Sequence, residues 1–120
     1  MRKIVTVGGT LEESGKNLIA VIDRVERGES VDPTDRVNFA SWSALASVMT
    51  DRRLELLQHL RRHPAENIRQ LATALGRDYK RVYEDVTRLE QAGLIDRDEL
   101  GRLCVLWTEI QALIKLGAAA

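Results

Sequence analysis

The stretch from Asn67 to Ala92, NIRQLATALGRDYKRVYEDVTRLEQA, leaves few folds open. Ile68, Leu71, Ala72 and Leu75 follow the i, i+3, i+4, i+7 spacing of a helix with one apolar face. Asn67 and Gln70 stand where a capping box would satisfy the first free N–H groups, and Gly76 supplies the left-handed residue that ends such a helix. A second helix restarts at once, with Asp78 as its cap and Val82, Val86 and Leu89 on one face. Arg77, Tyr79, Lys80, Arg81, Tyr83, Glu84, Thr87 and Arg88 fall mainly on its other faces, the basic and aromatic ones near its start. A charged face of this kind can be solvated surface and nothing more.

What flanks the pair favours a larger unit. Gly93-Leu94-Ile95 closes the second helix and opens an extended run, Asp96 to Arg102 is polar around Gly101, and Leu103 to Trp107 favours a strand. Upstream, Asp51 to His63 is a third helix, with Thr50 as cap, Pro64 beyond its end, and Leu54, Leu57 and Leu60 turned inward. Arg52, Arg53, Glu55, Gln58, Arg61 and Arg62 are expected mostly outside. Helix, turn, helix and hairpin make a winged helix-turn-helix, so the fold expected is α+β and mostly helical. In such proteins the start of the second helix of the pair meets base edges and phosphates in the DNA major groove.

The runs MTDRRLELLQHL and PAENIRQLATALGRDYKRVYEDVTRLEQAGLI, in this order, resemble the archaeal and bacterial proteins of the HVO_A0114 type, labelled MarR-like regulators and sometimes encoded beside toxin genes. The resemblance covers roughly residues 37 to 107 and, more loosely, the N-terminal arm. It implies a small winged-helix DNA-binding protein, and an antitoxin repressing its own operon with a cognate toxin as partner. Met49 replaces the usual leucine. Arg81 and Tyr83 stand where the pattern is associated with Asn and His, so no base preference carries over.

Residues 1–36 read as a strand, helix and strand arm. Ile4, Val5 and Val7 form a strand broken by Gly8-Gly9, and a helix capped by Thr10 runs to about Arg27, with Leu11, Leu18, Val21, Ile22 and Val25 as its stripe and Gly28 as its stop. Three helices and a hairpin already supply a core for residues 37–107. Ile4, Val5, Val7, Leu18, Val21, Ile22 and Val25 are therefore expected to pack against the outside of that core or against a second subunit, as candidates for a homodimer or partner interface. After the turn-rich ESVDPTD, Val37 to Phe39 could pair with Ile4 to Val7 or with its symmetry mate. Ser41 caps a short helix with Leu45, Val48 and Met49 inward, and Trp42 is expected to pack beside them. In residues 108–120, Ile110, Ala112, Ile114 and Leu116 alternate as in a strand, although Leu113 interrupts the pattern and a helix stays possible.

The chemistry available is recognition. Eighteen basic residues balance 18 acidic ones, so no global field draws in phosphate, and affinity for double-stranded DNA has to come from local arrangement doubled in a dimer. Candidate phosphate contacts are Arg69, Arg77, Lys80, Arg81 and Arg88, with Arg97 and Arg102 of the acidic wing as accessories. Tyr79 and Tyr83 share a helix edge from which each can reach sugar, a thymine methyl or a phosphate oxygen, Thr87 is a further candidate contact to DNA, and Glu84 either accepts from a cytosine amine or pairs with Lys80 or Arg88. Asp85 lies nearer the core side and could orient an arginine of the preceding helices. His59 and His63 are four residues apart, yet a third metal ligand is missing. Cys104 in its apolar run reads as a buried, inert thiol, consistent with a reducing cytoplasm. No apolar run is long enough to span a bilayer. With neither a nucleophile constellation nor a phosphate-cradling glycine loop, the reading is of a DNA-binding regulator without cofactors, not an enzyme. A winged helix that binds another protein instead of DNA is the alternative, and the neutral charge is its argument.

Overall fold

The computed structural model of the chain describes residues 2–8, 36–114 and 116. The expected helix from Thr10, with Leu18, Val21, Ile22 and Val25, lies outside the described residues. Those described form β1 (Arg2–Val7), β2 (Arg36–Phe39), α1 (Trp42–Val48), α2 (Asp51–Arg62), α3 (Ile68–Leu75), α4 (Tyr79–Gln91), β3 (Asp96–Arg97), β4 (Leu103–Cys104) and β5 (Glu109–Ile114). The fold is α+β.

Each helix starts on the residue that its sequence nominates. Ser41, Thr50, Asn67 and Asp78 accept at their side-chain oxygens from Ala44, Arg53, Gln70 and Arg81 N–H respectively, relieving donors that a helix cannot satisfy itself. Gln70 in turn reaches back past the cap, its Oε1 accepting from Glu66 N–H at 2.7 Å, one residue before the donor that a capping box would use. Gly76 ends α3 at φ +63°, with Arg77 N–H donating back to the Ala72 carbonyl. Gly93 ends α4 in the same way at φ +79°, and Leu94 N–H reaches the Leu89 carbonyl at 2.9 Å.

Two sheets frame these helices. β3 and β4 pair antiparallel, Asp96 with Cys104 and Arg97 with Leu103, and Ala65 between α2 and α3 adds a bridge to Leu103 through two backbone hydrogen bonds of 2.8 and 3.0 Å. The other sheet has the order β2-β1-β5 and is parallel throughout. Val37 to Phe39 thus pairs with Val5 to Val7 within the chain, and the C-terminal segment extends the sheet as a strand. Parallel neighbours require long crossovers. The chain between β2 and β5 contains all four described helices and the hairpin.

A single core joins these parts. Leu56, Leu60, Leu71, Val82, Leu89, Leu94 and Leu103 are fully buried, and Val5, Val7, Phe39 and Trp107 belong to the same cluster. Of the two places open to Val5 and Val7, against the protomer's own core or at an interface, the structure shows the first, with both inside the core cluster, and of the three only Ile4 stays half-buried. Their alternation on a central strand set against the helices explains why. Lys3 is buried in that layer as well, its Nζ 4.5 Å from the centre of the Trp107 ring.

Two further expectations are corrected. Leu54 is 41% exposed, whereas Leu56 is fully buried beside Leu57 and Leu60. The inward stripe of α2 is Arg53, Leu56, Leu57 and Leu60, spaced i, i+3, i+4, i+7, with an arginine in the first place. Trp42, expected to pack inward, is 59% exposed at the first turn of α1.

Candidate nucleic-acid interface

The geometry of α4 follows from its stripe. Val82, Val86 and Leu89 are buried, which fixes the rotation of the helix and turns Lys80, Glu84, Thr87 and Gln91 to the opposite face at i, i+4, i+7, i+11. Thr87 is half-buried and the other three are exposed. Arg81 and Arg88 lie seven residues apart along one flank, and Tyr79 and Tyr83 along the other, their rings 6.2 Å apart. Arg69 of α3 completes the tyrosine flank, with its guanidinium 5.2 Å from the centre of the Tyr79 ring.

Among the described residues, Lys80 and Arg81 make no ion pair, so both charges at the start of α4 are open to a ligand. Glu84 makes none either. The pairing open to it with Lys80 or Arg88 is not formed, and Arg88 instead donates to Ser47 Oγ at 3.4 Å, a long contact with α1. Gln91 and Ser47 were not singled out in the sequence. The helical spacing from Lys80 points to Gln91, but only the packing of α1 against α4 reveals Ser47.

Arg77 is placed differently from the exposed cations. Its Nη2 donates to Asp85 Oδ2 at 2.8 Å, while Arg53 Nε donates to Asp85 Oδ1 at 3.0 Å, with all three side chains less than one-fifth exposed. Arg53 Nη1 also caps the end of α1 through the carbonyls of Ser47 and Val48, at 2.8 and 3.0 Å. Asp85 thereby orients arginines from α2 and from the turn before α4, and ties the end of α1 to the front of α4. Arg77 positions the helix and is not free to meet a phosphate.

The arginines of the β3–β4 hairpin are held as well. Arg97 Nη2 donates to Glu90 Oε1 of α4 at 2.8 Å and its Nη1 to the Gly101 carbonyl at 3.3 Å. Arg102 Nε donates to Asp98 Oδ2 at 2.7 Å. Asp98 also accepts from the N–H groups of Leu100 and Arg102. Desolvation acts to raise the Asp98 pKa, but the bonds from Arg102 and Leu100 and the Arg102 charge outweigh it and hold the carboxyl below its ordinary value. Leu100 at the tip of the hairpin is 78% exposed.

The rings of His59 and His63 lie 5.3 Å apart, tilted by 45°, and burial, then the charges of His63 and Arg62, lower the pKa of His59. No group of three metal-ligating side chains occurs among the described residues. Cys104 is buried, and burial followed by the charges of Asp98 and Asp96 raises its thiol pKa. No described helix is long and apolar enough to cross a membrane.

No curated protein and no solved structure matches the chain. Residues 48–112, more than half of its length, match the HVO_A0114 family, from the end of α1 into β5. This match carries no DNA-binding or MarR-like assignment. The chain belongs to the HVO_A0114 family.

Proposed function

We propose that the chain is a sequence-specific DNA-binding transcriptional regulator, a winged helix-turn-helix that reads DNA with α4 and acts as a dimeric repressor. The observation that carries this reading is the pair of unpaired, exposed cations, Lys80 and Arg81, between two exposed tyrosines on the first turns of a helix whose back is locked into the core. The β3–β4 hairpin, with the Ala65 bridge on its edge and Arg97 tied to α4, supports naming it a wing. Lys80, Arg81, Arg69 and Arg88 are assigned to phosphates and base edges, and Tyr79, Tyr83, Glu84 and Thr87 to bases and sugars. Arg97 and Arg102 are accessories at most. A role as the antitoxin of a toxin–antitoxin operon rests on the resemblance alone.

The second reading is a protein-interaction module without DNA binding. Zero net charge and the exposed apolar side chains of Trp42 and Leu54 favour it. A gel shift of the purified protein on the DNA upstream of its own gene, with scrambled DNA as competitor, separates the two. Specific retardation is expected. No shift even at low salt would overturn the regulator in favour of the module.

A further inference from the structure

We infer that Glu84 is a specificity-determining residue of α4, accepting a hydrogen bond from the N4 amine of a cytosine in the major groove. This rests on the DNA-binding reading of α4 and names one base of the duplex that it takes.

Four carboxylates lie between the cap of α4 and its end, and three of them are engaged within the protein. Asp78 accepts from Arg81 N–H as the cap, Asp85 holds Arg53 and Arg77, and Glu90 holds Arg97. Glu84 holds no cation among the described residues, although Lys80 and Arg88 stand one helical turn away on either side and Arg81 is as near. An exposed carboxylate with three such neighbours and none engaged is available to a donor from outside.

Its position decides which donor. The buried stripe of Val82, Val86 and Leu89 sets Glu84 in the middle of the outward row that Lys80 opens and Thr87 continues, within the first two turns of α4. Arg81 and Arg88 run along one flank, and Arg69 sits over Tyr79 on the other. A helix seated in the major groove turns its flanks to the two phosphate backbones and its outward row to the base edges. The flanking cations then meet phosphate, and the carboxylate, which phosphate repels, meets the bases.

A carboxylate can only accept. Guanine presents two acceptors there, thymine an acceptor and a methyl group, and adenine an amine with the N7 acceptor beside it. Cytosine alone presents an amine without an acceptor on its own edge. Glu84 therefore favours cytosine and disfavours the other three bases, and its repulsion of phosphate weakens binding wherever α4 is not seated on its site.

Selection from a randomised double-stranded DNA pool, run in parallel with the wild type, Glu84→Gln and Glu84→Ala, tests this. The wild type is expected to enrich a site with a fixed cytosine, preferred by about fivefold or more when duplexes substituted at that position are titrated. Glu84→Gln is expected to move the preference at that position to adenine, whose N6 and N7 match the donor and acceptor of an amide. Glu84→Ala is expected to lose preference there and to hold scrambled duplex more tightly. Identical preferences in all three proteins, or a position that depends on residue 84 and is not cytosine in the wild-type site, would overturn the inference and leave α4 as the reading helix. A wild type that retains no duplex would overturn the DNA reading itself, and this inference with it.

Discussion

Asp85 accepts from two guanidiniums, one from α2 and one from the turn before α4, in a site where water reaches little of any of the three side chains. Removing the carboxylate leaves two cations facing each other with their hydration mostly lost. Asp85→Ala is expected to destabilise the fold by roughly 2–4 kcal/mol in urea unfolding, since breaking a partly buried ion pair costs far more than losing an exposed one. A loss below about 0.5 kcal/mol, the range of an ordinary surface substitution, would contradict the role given to it. The same residue explains the misreading of α2. A stripe of Arg53, Leu56, Leu57 and Leu60 asks for an arginine on an apolar face, which periodicity alone disfavours. Leu54, Leu57 and Leu60 is the reading without that charge, and only the distant Asp85 makes the other rotation possible. Trp42 escaped for a related reason: nothing local tells whether an aromatic at a helix start faces its own core or solvent.

At the level of elements, the sequence was most legible where a helix begins or ends. The caps Ser41, Thr50, Asn67 and Asp78 and the stops Gly76 and Gly93 are chemical signals within a few residues of the place they act. Gly93 carries a second constraint that only the fold reveals. A Cβ there would lie 2.9 Å from Val37 Cγ1 of β2, on a backbone with φ +79°. Gly93→Ala is expected to cost about 2 kcal/mol or more, read as a lowered melting temperature, because the left-handed conformation is unfavourable and the β-branched neighbour has little room to yield. Unchanged melting would show that the contact between β2 and the end of α4 is loose. The strand Glu109–Ile114 was legible as alternation. Its partner was not, since a period of two does not say which strand lies alongside.

For the whole molecule, the division into an N-terminal arm, a helical unit and a C-terminal segment described the sequence better than the packing. β1 and β5, at opposite ends of the chain, are neighbours in one sheet, and Val5 and Trp107 share one core with Leu56 and Leu89. Parallel pairing over that separation leaves no local mark. The candidate site was legible because it lies in one helix: Tyr79, Lys80, Arg81 and Tyr83 are all exposed, as the stripe of Val82, Val86 and Leu89 requires. The engagement of Arg77 by Asp85, and of Arg97 and Arg102 within and beside the β3–β4 hairpin, depends on neighbours that charge counting does not identify. A chain with no net charge can bind DNA only if cations such as Lys80 and Arg81 are left free while others are paired internally, and that is the claim on which the functional account turns.

The most direct measurement of it is the salt dependence of binding, by fluorescence anisotropy on the DNA upstream of its own gene, for the wild type, Lys80→Ala and Arg81→Ala. The account predicts that affinity falls linearly in log–log form, with a slope of about −0.9 for each phosphate neutralised. Lys80→Ala is expected to make that slope shallower by about 1, and Arg81→Ala to cost about 1–3 kcal/mol while relaxing preference at one position. Binding insensitive to salt, or the same slope and affinity in all three proteins, would contradict it.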